Sequence, residues 1–165
     1  MRRFFDVVDK TVGPVDAHSP VEPETKTEWL RGVLANEFVV LVVDDDQLMR
    51  EALCEYLARN NFAATGVASA KAAYERILEL REHISALITD MVIPGGGGWE
   101  LARTARQVVP NLAVLFISGA IDADVVESAS SQPYTKFLQK PFEFAVLAAE
   151  LRSLVSERTK GRGNG

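Results

Sequence analysis

Between residues 38 and 157, short apolar segments of strand length alternate five times with longer segments of helical periodicity. The first strand segment, FVVLVV, is a β-branched run that suits a strand buried on both faces. QLMREALCEYLARN then repeats its apolar residues at helical spacing. This alternation predicts an α/β fold in which a doubly wound, five-stranded parallel sheet carries helices on both faces.

The later segments differ in how strongly they signal a strand or a helix. FAATGVA is a weaker strand and DADVVESASS is a poor helix former, whereas PFEFAVLAAELRSLVSE is a clear closing helix opened by Pro141. Asp46 and Ser69 stand directly before two helical segments and are predicted N-caps. In such a sheet, ligands bind outside the carboxyl ends of the strands, so we expect the functional site at that edge.

The two ends of the chain differ from this alternating region. Residues 1–37 mix prolines, acids and small polar residues with little apolar periodicity, and they predict a mostly flexible N-terminal arm. Within the arm, residues 27–36 offer a short amphipathic helix, with Thr27 as its N-cap. Residues 38–157 form the predicted domain, and the Gly-rich, basic residues 158–165 predict a flexible tail.

Composition argues against several classes of function. The mean hydropathy is +0.03, and no apolar run approaches the ~18–20 residues that span a bilayer. A net charge of −5 argues against nucleic-acid binding through a basic surface. The single cysteine, Cys54, cannot form an internal disulfide, and no secretory leader stands at the N-terminus. We therefore expect a cytoplasmic protein that binds neither nucleic acid nor membrane.

Polar side chains follow four of the five predicted strands. In chain order they are Asp44–Asp45–Asp46, Asp90, Ser118 and Lys140. Because the carboxyl ends of parallel strands meet at one edge, we expect Asp44, Asp45 and Asp90 to converge within a few ångströms. Carboxylates that lie so close require a cation, and hard oxygen donors suit Mg²⁺.

Lys140 and Ser118 extend this prediction to phosphoryl chemistry. A metal, a lysine and a hydroxyl around one aspartate would stabilise a transferring phosphoryl group, which could attach to the carboxylate itself. Each feature has a plainer interpretation, because aspartates after a strand often only cap the next helix and a Lys-Pro pair often only ends a strand. Four such coincidences at one sheet edge favour a site.

VLVVDDD, LITDMVIPGGGGWEL, VLFISG and KFLQKPF together resemble the receiver domain of two-component response regulators, from about Phe38 to Val155. The resemblance implies a flavodoxin-like (βα)5 domain with strand order 2-1-3-4-5. SSQPYTKFLQKPF is more similar to receivers fused to hybrid histidine kinases than to those joined to DNA-binding effectors. PGGGGWE departs from the commoner Pro-x-x-Asp-Gly turn, and its glycines Gly95–Gly98 make the loop beside Asp90 unusually permissive.

The resemblance also implies which residues bind phosphate and metal. Asp90 would be the phosphoacceptor. Mg²⁺ would be held by Asp45 directly, by Asp44 directly or through a water molecule, by Asp90, and by the main-chain carbonyl of Val92.

Three further positions match residues of that family. Ser118 stands where the family has threonine or serine, and Lys140 stands where it has a lysine followed by a cis-linked proline, here Pro141. Phe137 falls on the family's aromatic switch position, whose ring swings inward when the hydroxyl moves to the phosphoryl group. The alternative for Phe137 is a core phenylalanine that never moves.

The residues and the resemblance together imply a phosphoacceptor signalling module rather than an enzyme. It would take a phosphoryl group on Asp90 from a sensor histidine kinase or a histidine phosphotransfer protein, with Mg²⁺, and act by contact with a downstream protein partner. One alternative is a Mg²⁺-dependent phosphohydrolase that uses Asp44 and Asp46, although Asp90 with Lys140 fits the receiver better. Another is a receiver-like scaffold that works without phosphorylation.

Overall fold

The computed structural model describes residues 38–120, 126–128 and 131–162, which form one five-stranded parallel sheet with helices on both faces. The strand order β2-β1-β3-β4-β5 confirms the predicted fold. The strands are β1 (Phe38–Val43), β2 (Phe62–Val67), β3 (Ile84–Asp90), β4 (Ala113–Ser118) and β5 (Thr135–Gln139). The helices are α1 (Gln47–Arg59), α2 (Ala70–Leu80), α3 (Gly98–Val108) and α4 (Phe144–Arg162).

Some predicted elements fall wholly or partly outside the described residues. The N-terminal arm and its short helix over residues 27–36 lie outside them. Of the weak helix predicted at DADVVESASS, residues 126–128 are described, and they are helical. Among the residues that the structure covers, no helix has the length and apolar content needed to cross a bilayer.

Each face of the sheet buries its own hydrophobic cluster. Alternate residues of the central strands point to opposite faces, so Leu41 joins one cluster and Val42 the other. Helices α2 and α3 cover the first cluster, and helices α1 and α4 cover the second. Because strands β1, β3 and β4 are packed on both faces, their positions and register are strongly determined.

Local side-chain hydrogen bonds start two of the helices as the sequence predicts. The Asp46 carboxylate accepts a hydrogen bond from the Met49 N–H at 3.1 Å, and the Ser69 hydroxyl accepts one from the Ala72 N–H at 3.3 Å. Both residues therefore satisfy a backbone donor that a helix start leaves without an intrahelical partner. The two N-cap predictions are confirmed.

The prediction that residues 158–165 form a flexible tail is wrong for residues 158–162, because α4 continues to Arg162. Arg158 is only 6% exposed, and its Nη1 donates to the carbonyl oxygens of Ile84 at 2.9 Å and Ser85 at 2.7 Å. A charged donor satisfying two carbonyls at the start of β3 outweighs the poor helix propensity of this Gly-rich end.

Replacing Arg158 with alanine should therefore destabilise the domain by about 3 kcal/mol, because two carbonyl oxygens of β3 lose a charged donor. Chemical denaturation of the two proteins measures this difference. Lys160→Ala, on an exposed position of the same helix turn, is the control and should change stability by no more than about 0.5 kcal/mol. Equal stability of the two variants would contradict a role for Arg158 in holding α4 on the sheet.

Candidate functional site

Strand register brings the predicted polar residues to one edge of the sheet. All five strands are parallel, so their carboxyl ends lie together. The pairs that align these ends are Val43 with Thr89, Asp90 with Ile117, and Ser118 with Gln139. Asp44, one residue beyond β1, therefore lies level with Asp90. Lys140 lies two residues beyond Leu138, the β5 residue at that level, and its side chain reaches back to Asp90.

Lys140 lies between two of the predicted carboxylates. Its Nζ is 2.6 Å from Oδ2 of Asp90 and 3.6 Å from Oδ2 of Asp44. The peptide bond between Lys140 and Pro141 is cis, as the resemblance implies. One ammonium group thus compensates two carboxylates that would otherwise repel each other.

Asp90 is held by donors on both of its carboxylate oxygens. The Val92 N–H donates to Oδ1 at 3.0 Å, while Lys140 donates to Oδ2. The Asp90 side chain remains 16% exposed, so a reagent approaching from solvent can reach it. The carboxylate is therefore oriented and also accessible, as a nucleophile must be.

Asp44 and Asp45 face different surroundings although they are adjacent. Asp44 is 4% exposed, and its Oδ1 accepts a hydrogen bond from the Asp46 N–H at 2.9 Å. Asp45 is exposed. Within the described part of the chain, no three Asp, Glu, His or Cys side chains already stand together as a metal-binding group, and the convergence of Asp44, Asp45 and Asp90 stays a prediction. Lys140 lies between Asp44 and Asp90 and contacts both carboxylates.

Ser118 and Phe137 occupy positions beside this cluster. The buried Ser118 hydroxyl donates to the carbonyl oxygen of Ala120 at 2.6 Å, within its own loop. Phe137 is half-buried and stacks on Phe116, with ring centroids 5.0 Å apart. Among the described residues, the Asp90 carboxylate accepts hydrogen bonds from Val92 and Lys140 and not from the Ser118 hydroxyl.

The charges around Lys140 alter its acidity. Burial alone lowers the pKa of Lys140, but its hydrogen bond to Asp90 and the negative charges of Asp44 and Asp90 outweigh burial. The pKa of Lys140 is therefore raised above its ordinary value of 10.5, and the ammonium form is stabilised.

Two contacts around the site were not predicted from the sequence. A Cβ at Gly98 would collide with the main-chain oxygen of Asp90, so glycine is required there by close packing and not only for loop flexibility. Arg50 donates from Nη1 to the main-chain oxygen of Asp44 at 2.7 Å. The only sequence signal for Arg50 was its place on the first turn of α1, directly after the three aspartates.

The donor atoms at this edge suit Mg²⁺ in kind. They are carboxylate oxygens of Asp44, Asp45 and Asp90 together with main-chain carbonyls, and hard oxygen donors of this sort, few in number, are what Mg²⁺ takes from proteins. The position of the Lys140 ammonium between two of these carboxylates also indicates that the edge attracts a cation. The residues present therefore fit the ion by the chemistry of their donor atoms.

Comparisons with known proteins agree with one another. The family model described as response regulator receiver domain matches residues 40–152. The response regulator receiver protein CpdR of Brucella abortus (strain 2308) is 33% identical over 116 residues, which are 70% of this chain and 95% of that protein. Two other relatives are longer than this chain. The matched region covers 58% of the transcriptional regulatory protein FixJ of Azorhizobium caulinodans and 25% of the response regulator protein FleR of Pseudomonas aeruginosa.

Solved structures give the same result. A response regulator receiver protein from Sinorhizobium medicae WSM419 is 30% identical with a TM-score of 0.65, covering 73% of this chain and 96% of that one. The receiver domain from the hybrid histidine kinase CckA is 25% identical with a TM-score of 0.61, covering 71% of this chain and 98% of that one.

The raised pKa of Lys140 leads to a testable dependence of stability on pH. A group whose pKa is higher in the folded state contributes its full stability below its unfolded pKa of 10.5, and loses it as the pH rises through the folded pKa. The stability difference between wild type and Lys140→Met should therefore stay constant from about pH 7 to about pH 9 and shrink above pH 10.5.

Denaturant unfolding at a series of pH values measures this difference. As a control, the same substitution in an Asp90→Asn background should show a weaker dependence on alkaline pH, since the main partner that raises the pKa has lost its charge. A stability difference that already falls near neutral pH would contradict the ion pair described here.

Proposed function

This chain belongs to the response regulator receiver family, whose members are phosphoacceptor signalling modules, and we propose that Asp90 is the residue that accepts the phosphoryl group. The observation that carries the proposal is the pairing of Asp90 with Lys140 at 2.6 Å, at the carboxyl edge of the sheet. The comparisons do not favour a phosphohydrolase or a scaffold that works without phosphorylation.

The proposed transfer is a nucleophilic displacement at phosphorus. A carboxylate oxygen of Asp90 forms a bond to the phosphorus of a phosphohistidine, and the bond from phosphorus to the imidazole nitrogen breaks with its electron pair leaving on that nitrogen. Lys140 compensates the negative charge, and the Val92 N–H holds the other carboxylate oxygen in place. The chain thus supplies orientation and charge, and the module is a phosphoacceptor rather than an enzyme with turnover.

Mg²⁺ is the cofactor of this proposal. Asp44, Asp45, Asp90 and the main-chain carbonyl of Val92 are the residues that would hold it. When bound, the ion would neutralise charge on the phosphoryl oxygens.

The proposed signal follows from the added charge. A phosphoryl group brings Asp90 to about −2 in charge and adds acceptor oxygens, so the Ser118 hydroxyl is drawn away from the Ala120 carbonyl and toward it. That movement would vacate space for the Phe137 ring, which in this structure is half-buried against Phe116. The changed surface would then be recognised by a downstream protein partner.

A protein donor is supported by apolar residues exposed at the same edge as Asp90. Leu48, on the first turn of α1, and Val92, two residues after β3, are each 80% exposed. Solvent-exposed aliphatic side chains beside a charged site suit contact with another protein surface. The donor proposed is a sensor histidine kinase or a histidine phosphotransfer protein.

Acetyl phosphate with Mg²⁺ should add one phosphoryl group to the wild-type chain, and Asp90→Asn should abolish the adduct because the amide is not a nucleophile. Intact-mass spectrometry measures the adduct. Asp46→Asn is the matched control, since asparagine also caps helices and the substitution removes the same charge nearby. Wild type without an adduct would favour the scaffold, and turnover of small phosphate esters would favour the phosphohydrolase.

Leu48→Glu should slow transfer from a phosphorylated histidine phosphotransfer protein by about tenfold, because it places a charge at the proposed contact. Transfer from acetyl phosphate should be unchanged, since this small donor needs no protein surface. Leu78→Glu on α2, also an exposed leucine, is the control. Equal rates for both variants with the protein donor would contradict docking at α1.

A further inference from the structure

Arg50 joins the first turn of α1 to the end of β1. Its Nη1 donates to the main-chain oxygen of Asp44 at 2.7 Å. This hydrogen bond to a charged donor adds to the others that hold Asp44, whose N–H donates to the Val67 carbonyl at 3.2 Å and whose Oδ1 accepts from the Asp46 N–H. Every polar group of Asp44 therefore has a partner, and Arg50 is the partner of the carbonyl.

The side chain of Arg50 can take this path only because residue 66 is glycine. A Cβ at Gly66 would lie 2.7 Å from Cγ and 3.0 Å from Cδ of Arg50, and 3.2 Å from Sγ of the buried Cys54. Such distances are shorter than van der Waals contact, so a side chain on this residue of β2 would displace the arginine stem. Gly66 and Arg50 thus form one unit: the glycine leaves the space and the arginine fills it.

The carbonyl that Arg50 holds belongs to the peptide between Asp44 and Asp45. A peptide unit is planar, so fixing its oxygen also fixes the direction in which the Asp45 backbone begins. Asp45 is exposed, and among the proposed Mg²⁺ ligands it follows Asp44 directly. The orientation of the Asp44–Asp45 segment therefore depends on Arg50, which does not itself offer an atom that could bind the metal.

We propose that Arg50 is a positioning residue for the cation site, because its hydrogen bond to the Asp44 carbonyl orients the Asp44–Asp45 peptide for metal binding. Its side chain packs against Gly66 in doing so. This inference rests on the proposed function. It makes a prediction opposite to that of simple electrostatics, because a nearby positive charge by itself repels Mg²⁺. Removing Arg50 weakens Mg²⁺ binding if positioning dominates and strengthens it if charge dominates.

Titration of the full chain with MgCl₂, followed by the amide NMR signals of Asp45 and Asp46, measures the Kd for Mg²⁺ without reference to phosphorylation. Arg50→Met should raise the Kd about tenfold, the usual loss when a group supporting a metal ligand is removed. Gly66→Ala keeps the charge but displaces the arginine, and it should raise the Kd similarly. The double variant should bind Mg²⁺ no more weakly than the weaker of the two single variants, because both substitutions disturb the same packing of Arg50 against Gly66.

Two further variants separate positioning from other effects. Arg59→Met removes the same charge from the far end of α1 and should leave the Kd at the wild-type value. Arg50→Lys keeps a charged donor and should recover part of the affinity. If Arg50→Met does not fold, Arg50→Lys and Gly66→Ala carry the comparison.

The outcomes distinguish the proposals. A Kd for Arg50→Met equal to or lower than that of wild type overturns the positioning role and leaves the proposed function intact. A loss of thermal stability in Arg50→Met with an unchanged Kd also overturns it, because that result indicates a structural role alone. A wild-type chain whose Asp45 and Asp46 signals do not respond to Mg²⁺ overturns this inference and the proposed metal site together.

Discussion

The contact of Lys140 with Asp90 and Asp44 is the interaction on which the site depends. Two carboxylates at one partly buried edge repel each other, and each loses hydration as the sheet and helices close around them. One ammonium, 2.6 Å and 3.6 Å from their oxygens, compensates both. The same contact raises the pKa of Lys140, keeps Asp90 oriented, and leaves its carboxylate open to solvent on one side.

This contact exists because of the register of a parallel sheet. Lys140 and Asp90 are 50 residues apart in the chain, and they meet because β3, β4 and β5 end at the same level. That level is determined by burial of the central strands on both faces, where a slip of one residue would move every core side chain to the wrong face. The energetics of the core thus determine where the charged groups lie.

Residues whose partners are close in sequence were predicted well. Asp46 and Ser69 cap helices through backbone groups three residues away, so their residue type and position were sufficient. The place of the Asp45 side chain stays a prediction, because it depends on how the loop after β1 turns. Gly98 was interpreted as a source of flexibility, whereas its close approach to the Asp90 backbone is visible only once α3 packs beside β3.

The sequence by itself determined the alternation of strands and helices, the strand order implied by the family resemblance, and the residue types at the carboxyl edge. Periodicity and capping act over a few residues, so the amino-acid order specifies them directly. Only the tertiary structure decided that α4 runs to Arg162, that Lys140 lies between Asp44 and Asp90, and that Arg50 holds the Asp44 carbonyl. These contacts depend on packed distances between separate elements, because a side chain finds its hydrogen-bond partner only after the core has set the register and spacing of the strands.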